Sequence, residues 1–473
     1  MSSSAAPAER PASTLPKHIP YLYIVYGLLS GFGTTLALGQ LVFFITEYTG
    51  VSPTMMATIY TIARIADLIV SMFAGPSVQR MRRVRPALLI IPLISGFGTL
   101  LSFLNPPIPL GPKYALLILG YCCIHFPMNW STVVINRVLM AIAGPNPANR
   151  LAITSNQQRG TSSGSILISL ITVPGIMFLQ SRGLPGYLMI AALYVVIWLC
   201  ASFLLYTISA PYEPKDAPAP LMAVQRVTIG QMYRAAMSNK LVLVLFFAIT
   251  LAGIGAQVFA AGPMYYFRYS IGNLSWQAIN GTIRGFVALF MAIVCPPLAR
   301  RLGKRKSYIF QYIWIIFIYT TMMLFADGRV YVYIAAFSAL TFGTQTALAW
   351  GANLWIDAAE IQLHETGVDN RPFITSINNF PIKLGFIFSG PVVAFMLNNS
   401  GYSVVDGRGT IANTQVFMYS WLGTTVGLYV LAIIIFFLGY KTDEKYAAEC
   451  AAANAAAARE RAAAAAAAAA PRP

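Results

Sequence analysis

Apolar residues recur in twelve long runs parted by short polar stretches, at 21–47, 54–75, 86–104, 114–143, 151–179, 186–208, 241–270, 276–299, 307–325, 330–354, 373–397 and 415–439. A helix needs about 20 mostly apolar residues to cross a hydrocarbon core about 30 Å thick. The pattern therefore predicts an all-α polytopic membrane protein with about twelve transmembrane helices. The run at 151–179 opens on the polar stretch SNQQRGTSSGS, which predicts a helix facing protein or water rather than lipid. Composition agrees, since 57% of the 473 residues are hydrophobic and 10% are charged, against about 25% charged in soluble chains. A soluble enzyme, a secreted disulfide scaffold and a disordered chain are excluded.

The formal net charge of +17 is unevenly placed. Arg80, Arg82, Arg83 and Arg85 follow helix 2, Arg150 follows helix 4, and Lys215, Arg226, Arg234 and Lys240 follow helix 6. Arg300, Arg301, Lys304, Arg305 and Lys306 follow helix 8, while the alternate loops hold only scattered charges such as Lys113, Arg182, Arg329 and Arg408. Basic loops stay in the cytoplasm, so both termini are expected there, with the chain integral to the plasma membrane. The bilayer is thus its expected partner. No nucleic-acid module is evident, and residues 1–20 lack the apolar region of a removable signal peptide. The five cysteines show no metal-ligand spacing and read as small core residues.

This divides the chain into a cytoplasmic segment 1–20, a six-helix half 21–208, a linker 209–240 that begins Pro-rich, a second six-helix half 241–440 and an Ala-rich cytoplasmic tail 441–473. The tail's composition predicts a frayed helix or disorder. A trace of duplication links the halves. Arg64, Pro76 and Arg80 in helix 2 recur at the same spacing as Arg284, Pro296 and Arg300 in helix 8, each set leading into a basic loop. Repeated six-helix halves favour a major-facilitator fold, in which parallel repeats enclose a midplane cavity.

Charges within spans carry the chemistry, because each costs about 2.5 to 3.5 kcal/mol at a helix centre. In helix 2, Arg64 and Asp67 share a face that Ser71 extends. They form either a self-neutralising pair that holds helices together or an ion-coupling site in a wet cavity. Asp67 is the only acidic residue deep in a predicted span, and Glu47 lies at the outer end of helix 1. Helix 4 sets His125, Asn129, Thr132 and Asn136 on one stripe just past Pro127, which reads as packing or as a cavity wall. Helix 5 adds Arg159, and helix 11 adds Lys383 with Ser376 and Asn379 before it. In helix 1, Gly27, Gly31, Thr35 and Gly39 recur every four residues, a spacing that lets helices approach closely. After helix 10, Asp357, Glu360 and His364 share one face in a predicted cytoplasmic loop. A gate salt bridge fits them better than a metal or acid/base cluster.

Three phrases in this order resemble the glycoside/pentoside/hexuronide:cation symporter family, the melibiose-permease-like branch of the major facilitator superfamily. They are RIADLIVSMFAGP in helix 2, YYFRYSIG after helix 7, and DAAEIQLHETGVDNR followed by KLG in helix 11. The resemblance covers most of residues 20–440. It implies a symporter that carries a small polar solute by alternating access, without a cofactor and as a monomer. Cation-coupling candidates are Asp67, Ser71 and Cys122; solute-binding candidates are Thr35, Arg64, His125, Asn129, Arg159 and Lys383; gating candidates are Arg82, Arg300, Arg301, Asp357 and Glu360. Ser71, Thr35 and His125 stand where the family has aspartates, and Asn129 where it has an aromatic residue. Losing those carboxylates leaves a net basic cavity suited to a hexuronide-like organic anion as well as a sugar or glycoside. With one helix 2 carboxylate in place of two, H+ is favoured over Na+ as the coupling ion. A lysophospholipid-type lipid as cargo, or a membrane-embedded enzyme built on His125 or on Asp357, Glu360 and His364, is the alternative.

Overall fold

The computed structural model describes residues 15, 16, 18–81, 83–143, 147–212, 237–348, 350, 353–367, 374, 380–405 and 408–469. The first apolar run is broken into α1 (His18–Ser30), α2 (Phe32–Gly39) and α3 (Leu41–Tyr48). There follow α4 (Pro53–Arg80), α5 (Arg85–Ser102), α6 (Leu110–Ala143), α7 (Pro147–Ser181) and α8 (Gly186–Ile208). The second half of the sequence supplies α9 (Lys240–Ala261), α10 (Ser275–Leu302), α11 (Lys304–Phe325), α12 (Val330–Leu348), α13 (Asn353–Thr366), α14 (Phe380–Asn399), α15 (Thr414–Gly439) and α16 (Glu444–Ala469). A π-turn at Tyr266–Ser270 closes the α9 region, and the antiparallel strands β1 (Ser403–Val405) and β2 (Arg408–Thr410) form a hairpin between α14 and α15.

Helical residues thus coincide with every predicted run, although among the described residues nine helices, or ten with the bent α10, are long and apolar enough to span a membrane alone. The shortfall has physical causes. The first span is interrupted at Gly31 and Gln40, so none of its pieces reaches spanning length, and α10 bends by 52° near its middle. Of the run predicted over 330–354, the described residues form α12 to Leu348 and the start of α13, a 14-residue helix too short to cross, at Asn353.

The chain packs into two compact units. The first holds Met1–Phe44, Ile69–Leu221 and Gln277–Gly285; the second holds Ile45–Leu68, Met222–Trp276 and Phe286–Pro473. The division follows the sequence halves except where Ile45–Leu68, the end of α3 and the first part of α4, joins the second unit and Gln277–Gly285 of α10 joins the first.

In the first unit, glycines set how closely helices approach. A Cβ on Gly160 would overlap the Ile24 carbonyl, and one on Gly27 the Gln157 carbonyl, so α1 and α7 meet backbone to backbone. The packing reading of the helix 1 small-residue stripe therefore holds at Gly27, whereas Gly39 faces open space. In the second unit α9 and α14 also cross closely, since a Cβ on Gly385 would lie 2.8 Å from the Gly253 carbonyl carbon. Such close crossings replace the hydrophobic drive that lipid cannot supply. The second unit also holds an aromatic cluster of Phe259, Tyr266, Tyr333, Phe417 and Trp421.

The tail departs from expectation. The first turns of α16 lie along α13: Asn454 donates to the Glu360 carboxylate at 2.7 Å, and Cys450 is 1% exposed beside Ile361 and Ala447.

Gly160→Leu should push α1 off α7 and lower stability by about 1 to 3 kcal/mol or more, the range for overpacking. Thermal unfolding in detergent checks this, with Gly39→Leu as a control expected to unfold with the parent chain.

Candidate functional site

The site is built on an antiparallel seam within the second unit, between the first part of α4 and α14. At one end Asn398 donates to the Thr54 hydroxyl at 3.1 Å. Further along, a Cβ on Gly390 would sit 3.1 Å from the Tyr60 ring, so glycine lets the two helices close. The pairs 64 with 386 and 67 with 383 continue the same register, placing an i, i+3 pair of each helix face to face.

Asp67 is 3% exposed, and its Oδ2 accepts a hydrogen bond from Lys383 Nζ at 2.9 Å. Arg64 Nη1 lies farther off, at 3.9 Å from the same oxygen. The Arg64 guanidinium is held elsewhere: it donates to the Tyr60 hydroxyl at 3.0 Å and stacks over Phe386 with its Cζ 4.1 Å from the ring centroid. The aromatic face and phenol oxygen support the buried cation. Asp67 is left chiefly to Lys383.

The other candidates fall elsewhere. In the first unit His125 is buried with its ring tilted against Tyr121, centroids 4.3 Å apart, and Asn129 donates to the His125 carbonyl at 3.3 Å. Cys122 is half-buried on the same helix, Ser71 is half-buried one turn after Asp67, and Arg159 is exposed with a 3.3 Å hydrogen bond to Asn156. The Thr35 side chain, Arg82, Ser376 and Asn379 lie outside the described residues. A crevice lined by Tyr26, Ser131, Trp198 and Ser202 in the first unit contains none of the candidates.

Of the gating residues, Asp357 on α13 is gripped by Lys304 at 2.7 and 2.8 Å, at the turn that opens α11. That turn needs Gly303, whose φ is +80°. Arg300 and Arg301 are exposed, and Glu360 accepts from Asn454. Lys304, Tyr60 and Phe386 do not stand out as site residues in the sequence. Lys304 is hidden among its basic neighbours, and the two aromatics carry no signal that sets them apart from other membrane-helix aromatics.

Many apolar helices and a buried carboxylate beside two cations suit a polytopic membrane transporter. The chain belongs to the MFS/sugar transport protein family, whose model matches residues 23–451. It is 23% identical over 465 residues to an isoprimeverose transporter of Lactiplantibacillus pentosus, covering 94% of this chain and 93% of that one. It is 25% identical to a putative 2,3-dihydroxypropane-1-sulfonate exporter of Salmonella typhimurium, over 85% and 88% of the two chains. A putative glycoside/cation symporter of Escherichia coli is 23% identical over 90% and 93%. Among solved structures, a nucleoside transporter superposes with a TM-score of 0.65 at 14% identity, over 88% of this chain and 100% of that one. A D-xylose–proton symporter superposes at 0.60 and 16%, over 89% and 97%. These likenesses confirm the major-facilitator fold and the family resemblance read from the three phrases.

Removing one partner of a buried ion pair costs about 3 kcal/mol or more, while removing both is often near neutral. Lys383→Met and Asp67→Asn should each lower thermal stability in detergent, and the double variant should recover most of the loss. Additive losses would show that the pair is not a unit.

Proposed function

We propose that the protein is a cation-coupled symporter that carries a small polar solute, a sugar derivative or an organic anion, by alternating access. Asp67 is its coupling carboxylate. One observation carries the reading: Asp67 is buried within an apolar helix and held at 2.9 Å by a lysine on another helix. An intramembrane charge of this kind marks a transport path by default. The lysine acts as a tethered cation that a transported one can replace.

The coupling ion follows from the ligands on offer. Moving a lysine away from a carboxylate in a low-dielectric site favours the neutral, protonated form. Sodium needs several oxygen ligands arranged around it, and one turn beyond Asp67 the chain offers Ser71 rather than a second carboxylate. H+ is therefore favoured over Na+, and no cofactor takes part. Arg64 and Lys383 together carry more charge than Asp67, which supports an anionic solute; the relative named as a sulfonate exporter fits that preference. His125, Asn129 and Arg159, with Thr35, furnish polar groups for solute hydroxyls, and Cys122 and Ser71 serve cation coupling. Asp357 with Lys304, and Glu360 with Arg82, Arg300 and Arg301, form the cytoplasmic gate. Both termini lie in the cytoplasm, and the monomer is the working unit.

Two experiments test this. Uptake into proteoliposomes should be measured for isoprimeverose, glucuronate and 2,3-dihydroxypropane-1-sulfonate under separate proton and sodium gradients. A proton gradient should drive accumulation of at least one solute, and Asp67→Asn should abolish accumulation while leaving downhill exchange. The reading is wrong if Asp67→Asn still concentrates solute, or if sodium alone drives full uptake at constant pH. Reporters fused after Lys441 and within the 209–240 linker should both register the cytoplasm, and a signal from the opposite face at either would overturn the topology.

A further inference from the structure

Glu47 has no part in the coupling site, yet it is a carboxylate only 6% exposed near the end of α3. Its Oε1 accepts hydrogen bonds from the Tyr269 hydroxyl at 2.5 Å and the Tyr402 hydroxyl at 3.0 Å. The adjacent Thr46 ties in the same way: its hydroxyl lies 2.7 Å from that of Tyr265, and its carbonyl accepts from Tyr402 at 2.9 Å. Tyr265 and Tyr269 are brought into line by the π-turn after α9, their rings stacked 6.5 Å apart. Tyr402 leads into the β1–β2 hairpin, and Gly409 of β2 closes over the carboxylate. A Cβ at Gly409 would overlap Glu47 Oε1 and both phenol oxygens. Burial, and then the Glu47 charge, push the Tyr402 phenol well above its ordinary pKa, so it stays a neutral donor.

All these groups lie in the second compact unit, but they come from separate stretches of chain. Thr46 and Glu47 end the first span, whereas Tyr265, Tyr269, Tyr402 and Gly409 belong to the second half of the sequence. On the topology read from the basic loops this is the extracellular end. Alternating access requires first-half and second-half helices to part on the face that opens. We propose that Glu47 is the latch of the extracellular gate: it clasps the helix 7 turn and the 403–410 hairpin to the end of helix 1, and must release Tyr269 and Tyr402 before the protein opens outward. The inference rests on the alternating-access reading. Hydrogen bonds to a carboxylate are roughly twice as strong as neutral ones, so one buried acid serving two phenols is an effective catch.

The test needs neither solute nor gradient. In the full chain with its native cysteines replaced by serine, Ala57→Cys places a reporter at a buried seam position of α4. Its labelling by a membrane-impermeant maleimide is timed from the outside of right-side-out vesicles. Glu47→Gln, and Tyr269→Phe combined with Tyr402→Phe, should each speed labelling by about tenfold, as expected from losing charge-assisted hydrogen bonds. Gly409→Ala should do the same with the carboxylate intact, and Thr410→Val, which cuts a hydrogen bond inside the hairpin, should not. Should Glu47→Gln fail gel filtration as a folded species, the phenol pair and Gly409→Ala decide the matter. Labelling unchanged in those variants overturns the latch. Labelling that responds while Asp67→Asn still concentrates solute would instead remove the coupling reading and leave the latch standing.

Discussion

The arrangement depends on one constraint: a carboxylate inside a membrane helix must have counter-charge within a few ångströms, and here the nearest is on a different helix. Asp67 draws Lys383 across the seam, while Tyr60 and Phe386 draw Arg64 aside. A carboxylate bound to its own i−3 arginine would be a closed local pair with nothing to exchange. Held most closely by a lysine from α14, its charge loses its nearest partner when the seam opens. On the proposed coupling role of Asp67, occupancy of the site and helix contact would be linked, as a coupled transporter needs.

Close backbone packing makes such a seam possible. Gly390 lets α4 reach α14, and Gly253 with Gly385 lets α9 support α14 from another side. Without those glycines the charged pair would be held apart by side-chain bulk. The same logic recurs at Gly409, where absence of a side chain lets a hairpin seat on the Glu47 carboxylate. Small residues here govern how near functional charges come to their partners.

Much of this is legible in the sequence because lipid makes exceptions conspicuous. Arg64, Asp67 and Lys383 stand out as charges in apolar runs, and the three family phrases lie in order along the chain. The partnership of Asp67 with Lys383 is not legible, since 316 residues separate them and nothing local encodes the α4–α14 register. Arg64 looks like the obvious partner because i, i+3 neighbours share a face, but spacing cannot reveal the phenol and phenyl ring that compete for it. The tail misleads for a different reason. Its alanine richness gives no amphipathic pattern, and its docking rests on single residues such as Tyr446, Cys450 and Asn454. The Glu47 cluster is visible only as an acid near a helix end, since its partners lie more than 200 residues away.

The central claim is that Asp67 trades Lys383 for a proton during the cycle. The most direct measurement is proton uptake by the purified protein in weakly buffered detergent solution, followed with a pH indicator as the transported solute is added. The account predicts uptake of about one proton per protein in the parent chain and none in Asp67→Asn, as expected for a single titrating carboxyl losing its counter-ion. No uptake in the parent chain, or equal uptake in the variant, would contradict it.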